Sequence, residues 1–265
     1  MIAPLDGVNV EETDKAVLLI IESFSEELQE IVDQILAGIW HGFAEINDFP
    51  DLFTLSNAAK SFLDIYNTKS LDTKKGMIGE LLANVLIKYY LPKYSQLTVL
   101  KNLEERSIKK GFDIIYYENQ NGELWYCEVK SGLSTDGAKT SNEYNSILID
   151  RSKSGIIEML SSGRNKLWEK AMVEAKLAVD DQATQINVRT LLSQDLKAIN
   201  DNDLKNVVLV SVLYHSLSDL IRSNDLHDKH LEIENDNLFQ KHLIVSIQKS
   251  TLEVVENYLN DRSNG

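Results

Sequence analysis

Between Phe112 and Lys130 the chain carries two β-rich runs around one polar turn, and this pair constrains the fold more than any other segment. Phe112–Glu118 and Leu124–Lys130 are rich in Ile, Tyr, Trp and Val, and Asn119-Gln120-Asn121-Gly122 separates them. Asn-Gly between such runs is a strong hairpin signal, because tight turns need positive φ at these positions. A two-residue loop at Asn121-Gly122 sets Asp113 opposite Lys130 and Ile115 opposite Glu128. A four-residue loop over 119–122 sets Asp113 opposite Glu128 instead. Cross-strand partners share a face, so either register gathers Asp113, Glu128 and Lys130 on one side of the sheet. The other side then holds Ile114, Tyr116, Trp125, Cys127 and Val129, an apolar set suited to packing against a helix.

The rest of the chain supplies the elements such a hairpin needs around it. Lys15–Ile21 is a short apolar run bounded by charges and reads as a buried strand. From Ser25, a good N-cap, Leu28, Ile31, Val32, Ile35, Leu36 and Ile39 recur at helical spacing up to Trp40. Gly42–Leu55 reads as a loop, and a short helix fits Ser56–Tyr66. A longer helix begins at Thr73–Gly76 and runs to Leu91, where Pro92 stops it. A strand is expected near Gln96–Leu100, and a polar loop over Ser131–Asp150. Helical spacing returns at Ile156–Leu160 and Leu167–Val179, followed by strands at Asn206–Leu213 and His242–Ile247 and a helix near Thr251–Leu259. The expected division is an acidic N-terminal subdomain over 1–70 packed on a core over 71–265.

Composition narrows the function classes. With 43% apolar and 26% charged residues, the 265-residue chain is ordinary for a globular protein. No apolar run approaches the ~20 residues that span a bilayer, and the N-terminus lacks a basic region followed by an apolar stretch, so a cytoplasmic protein is expected. The single cysteine, Cys127, has no partner for a disulfide or a Cys-based zinc site. The net charge of −14 argues against nucleic-acid binding when taken globally. Its distribution is uneven: −11 over 1–68, +3 over 69–176 and −6 over 177–265. The asymmetry fits either a polyanion site in the middle third or ordinary solvated surfaces, and a chain this acidic would gain from a basic partner.

Two carboxylates a few ångströms apart form a hard oxygen site for a divalent ion, whose remaining positions a phosphate and waters can fill. Such an ion stabilises negative charge on a phosphodiester transition state and lowers the pKa of bound water, which a lysine beside it would orient. Asp113, Glu128 and Lys130 therefore make a coherent hydrolytic site. They equally fit a structural ion pair across two strands, a common arrangement worth only ~0.2–1 kcal/mol. Lys166 and Lys170, with Arg164 nearby, fit a solvated helix face better than phosphate ligands. His215 fits a structural role, and no histidine pair at i, i+4 suggests a zinc protease.

Gly111-Phe112-Asp113 followed by Glu128-Val129-Lys130 resembles the split motif of PD-(D/E)XK nucleases, and Lys75-Gly76-Met77-Ile78-Gly79-Glu80-Leu81-Leu82 resembles that superfamily's first core helix. Phe112 stands where the motif's proline would precede Asp113. Taken with Ser131-Gly132, the set is similar to the nuclease subunit of Hachiman anti-phage defence systems, most securely over 75–135. The resemblance implies an α/β fold: a mixed central β-sheet flanked by helices, with a restriction-endonuclease-like core and an N-terminal extension. It also implies Asp113, Glu128, Lys130 and Glu80 as catalytic residues. Asp113, Glu128 and Glu80 would hold Mg2+ or Mn2+, DNA would be the substrate, and a superfamily-two helicase would be the partner. For Glu80 the helix macrodipole offers a sufficient alternative, since acids are favoured in a first turn. A chain that binds the helicase or nucleic acid without cutting is the competing reading. No phosphate-binding glycine loop supports a nucleotide-dependent transferase.

Overall fold

The computed structural model describes residues 4–13, 15–101, 111–133, 139–161, 165–198 and 203–264. Its frame is a seven-stranded mixed sheet in the order β1-β2-β7-β6-β5-β4-β3. The strands are β1 (Val8–Glu12), β2 (Ala16–Ile21), β3 (Tyr94–Gln96), β4 (Ile114–Glu118), β5 (Glu123–Leu133), β6 (Asn206–Tyr214) and β7 (Lys241–Lys249). β2, β7, β6 and β5 are parallel neighbours, and an antiparallel pairing closes each side, β1 on β2 and β3–β4 on β5. Every residue of β2 and β6 is buried, as expected for parallel strands covered on both faces.

Helices form both outer layers. On one face lie α1 (Glu26–His41), α3 (Leu55–Tyr66), α4 (Leu71–Tyr90) and α9 (Glu253–Ser263), which share an apolar core with Ile114, Tyr116, Trp125, Cys127 and Val129. The face read as apolar from the sequence is thus packed against helices. On the other lie α5 (Ser141–Ser161), α6 (Asn165–Ala178), α7 (Gln182–Lys197) and α8 (Ser223–Asn235), packed with Ile115, Leu124 and Tyr126. The first 70 residues contribute β1 and β2 to the common sheet and α1 and α3 to one of its layers. No helix among the described residues is long and apolar enough to cross a membrane.

Local signals account for several element starts. The Ser25 hydroxyl accepts the Leu28 N–H at 3.2 Å and Thr54 accepts that of Asn57, side-chain caps that satisfy otherwise orphaned donors. Ser70 does the same for α4, accepting from Thr73 at 3.4 Å, so this helix starts at Leu71, earlier than the apolar stripe indicates.

Other expectations are corrected. The stretch expected as a loop over Gly42–Leu55 contains a short helix, α2 (Phe43–Asp48), and the strand expected near Gln96–Leu100 is β3, two residues upstream. The polar segment over Ser131–Asp150 is mostly regular: β5 continues to Leu133 and α5 starts at Ser141. The helical spacing read at Ile156–Leu160 is the C-terminal part of α5, and the part before it escapes an apolar-periodicity reading because it anchors itself with polar groups. The Ser211 hydroxyl donates to Asn145 Oδ1 at 2.6 Å and Ser152 Oγ donates to the Glu128 carbonyl at 2.8 Å, both buried. Satisfied buried hydrogen bonds replace part of the apolar stripe there.

Candidate active site

The hairpin register decides between the two turn lengths. Ile114 pairs with Cys127, Tyr116 with Trp125 and Glu118 with Glu123, so the loop is the four-residue one. Gly122 sits at φ 70° and its N–H donates to the Glu118 carbonyl at 2.9 Å. Extending that register sets Asp113 opposite Glu128. Asp113 lies just before β4, where its Oδ2 accepts the Val129 N–H at 2.8 Å. This bond fixes the carboxylate against β5.

Glu128 is buried, on the α5 side of the sheet. Burial, and after it the neighbouring Asp113 charge, push its carboxyl up to about 8, against the pull of Lys130. A hydrogen bond to Asp113 also favours the protonated form of Glu128. The Lys130 ammonium is ion-paired to Glu128 Oε1. Burial works to lower the Lys130 pKa, but Glu128, Asp113 and Glu80 outweigh it and hold the amine above its ordinary value. Asp113, Glu128 and Lys130 therefore form one electrostatically connected group, as their shared sheet face required.

Helix α5 closes over this group. A Cβ at Gly155 would stand 2.9 Å from Glu128 Oε1, so glycine is what lets the helix approach the carboxylate. One turn earlier Ser152 holds the Glu128 backbone. A cavity of about 580 Å³ opens between α5 and β5, lined by Glu128, Lys130, Ile147, Asp150, Arg151, Ser154, Gly155, Glu158 and Met159. None of these α5 residues was singled out from the sequence. The signal that reaches them is helical spacing: Ile147, Arg151, Ser154 and Glu158 recur at i, i+4, i+7 and i+11 and share a stripe.

The remaining candidates fall elsewhere. Glu80 lies in the third turn of α4, not the first, so the macrodipole does not account for it. Its helix packs on the opposite face of the sheet, with Gly79 against the Ser131 side chain, and Glu80 acts on Lys130 through its charge. Among the described residues no three Asp, Glu, His or Cys side chains converge as a metal-binding group. Lys170 is not solvated: its amine lies 3.6 Å from the buried Glu174 carboxylate. Lys166 is exposed, and Arg164 lies outside the described residues. His215 pairs with Asp219 at 3.4 Å.

Against this geometry, the model of the HamA family matches residues 8–259, nearly the whole chain. The chain belongs to the HamA family. Membership suggests a role in Hachiman defence for this HamA-family chain. No curated protein matches it significantly.

Proposed function

We propose that this HamA-family chain is a metal-dependent nuclease with a PD-(D/E)XK-type site, hydrolysing phosphodiester bonds of DNA as the effector of a defence system with a superfamily-two helicase partner. The observation that carries this reading is Asp113, held by the Val129 N–H at 2.8 Å, set opposite Glu128 on one sheet face, with Lys130 ion-paired to Glu128 beside it. Two carboxylates forced together in a buried place repel each other, and a divalent cation relieves that repulsion better than a proton does. The donor set is all oxygen, which fits Mg2+ or Mn2+ rather than zinc. Asp113 and Glu128 would hold the ion, with Glu80 joining through water. When bound, such an ion supplies charge neutralisation at the phosphate and a more acidic water.

The chain's own residues do the rest. The Val129 N–H holds Asp113 in place, and Gly155 and Ser152 fix Glu128, so neither carboxylate has to be organised when substrate arrives. Lys130 stays charged over the physiological range because the acidic groups around it, Glu128, Asp113 and Glu80, hold its amine above the ordinary value. Released from Glu128, it would donate to the attacking water or to a phosphate oxygen and offset the growing negative charge.

Incubating supercoiled plasmid with the purified chain, with and without the helicase, tests the reading. Nicking or linearisation in Mg2+ or Mn2+ is expected. Calcium should bind and support little cleavage, because its looser and larger coordination places water less well. Equal cleavage in EDTA would overturn the metal assignment. The closure of α5 over Glu128 and its pairing with Lys130 favour a second reading, a catalytically silent subunit that binds the helicase or nucleic acid. No cleavage under any metal or partner condition would select it.

The partner is proposed on charge as well as family. Flanks of −11 and −6 suit a basic protein surface. Co-expression with the helicase followed by size-exclusion chromatography at physiological salt is expected to give one co-eluting peak, and separate elution would remove the partner claim.

A further inference from the structure

The cavity beside Glu128 and Lys130 contains one basic residue that no acid among the described residues engages. Arg151 projects from an exposed position of α5 into the cavity lining and makes no ion pair among the described residues. Three charges near it are committed to partners. Asp150 pairs with Lys229 at 2.7 Å, Lys153 with Asp236 at 2.9 Å, and Lys130 with Glu128. The first two pairs tie α5 to α8 and fix the helix's rotation, so the stripe carrying Arg151 is held toward the cavity. A contrast lies at the other end of the sheet, where a cavity of about 410 Å³ is lined by Lys15, Lys93 and Lys241. Each of those amines is paired, with Glu234, Glu118 and Glu123 respectively, and offers an anion nothing.

Leaving an arginine unpaired in an acidic protein needs a reason, and the chemistry of the guanidinium supplies one. Its planar fork of donors matches two oxygens of a phosphate, which a lysine ammonium cannot match. In the same lining Ile147 is 41% exposed and offers an apolar surface to a sugar or base. We propose that Arg151 is the phosphate-binding residue of this site: it grips a backbone phosphate of the nucleic-acid strand adjacent to the one that reaches Lys130, so the strand lies along α5. The inference rests on the nuclease reading above and adds the path of the substrate to it.

The test measures binding separately from cutting. Fluorescence anisotropy of a labelled DNA oligonucleotide with the full chain, in calcium buffer that suppresses cleavage, would be compared for wild type, Arg151→Ala, Arg151→Lys and Lys60→Ala. The last removes the same charge from an exposed position of α3, on the opposite face of the sheet. Losing one charge-assisted phosphate contact should weaken binding about tenfold for Arg151→Ala, equally across sequences, and lower the salt slope by about one. Arg151→Lys should recover part of that loss, and Lys60→Ala should bind as wild type. Wild-type affinity and slope in Arg151→Ala, from a wild type that binds and cuts, would overturn this inference and leave the nuclease reading standing. So would an equal loss in Lys60→Ala. A wild type that neither binds nor cuts DNA or RNA would bring down the nuclease reading and this inference with it.

Discussion

Lys130→Ala and Glu128→Ala are each expected to remove plasmid cleavage, by at least about a hundredfold, the range over which a positioned acid–base or charge-stabilising group acts. The two losses have different origins. Without Lys130 the carboxylate pair remains and can still take up a cation, but nothing orients the water or offsets the developing charge. Without Glu128 half of the proposed metal site is gone, and Lys130 is left with Asp113 and Glu80 as its acidic neighbours. Neither replacement should unfold the protein. The Lys130 amine reaches the cavity between α5 and β5, and the Glu128 carboxylate is a buried acid whose charge the fold disfavours. Circular dichroism and thermal melting would establish that the fold persists, and Glu128→Gln, which keeps the shape, guards against a cavity effect. Full cleavage by both alanine variants would end the assignment. An unfolded Lys130→Ala would show that the ion pair serves structure instead of chemistry.

How much of this arrangement the sequence discloses depends on the kind of force that builds each part. The hairpin is legible because alternation is strict and the turn is polar, and both possible registers place Asp113, Glu128 and Lys130 together. Strands β2, β6 and β7 are legible as apolar runs with β-branched residues, since parallel strands bury both faces. Helix α5 before Ile156 is not, because Ser141, Asn145 and Ser152 are buried through hydrogen bonds to partners distant in sequence. No local pattern encodes Ser211 or Asp219 as those partners. The same helix supplies Gly155, Ser152 and Arg151, so the wall of the candidate site was hidden while its floor was visible. Glu80 shows the opposite error. A helix start placed a few residues late made it a first-turn acid, and the Ser70 cap moves it to the third turn.

Removing the Glu128 charge should stabilise the protein at alkaline pH, and the pH dependence of that gain tests the electrostatic core of the site without any nuclease assay. The folded state holds the Glu128 carboxyl at about 8, through burial and the Asp113 charge, against 4.5 for an ordinary glutamate. Between those two values the folded chain binds a proton that the unfolded chain has released. Stability from this group is therefore complete below 4.5 and is lost as pH rises through about 8. The slope is at most about 1.4 kcal/mol per pH unit. Glu128→Gln has no proton to lose. Its melting temperature should fall less steeply than that of wild type across the window, with the two closest at the acid end and the variant ahead at the alkaline end. The raised Lys130 amine does not confuse the comparison, because its stability is lost only above 10.5, outside the window. Magnesium or manganese should flatten the wild-type slope, since a cation between the carboxylates stabilises the deprotonated form, and should leave the variant's slope nearly as it was. Parallel melting curves for the two proteins, with and without metal, would show that Asp113 and Glu128 do not strain one another. The case for a cation between them would then lose its physical basis.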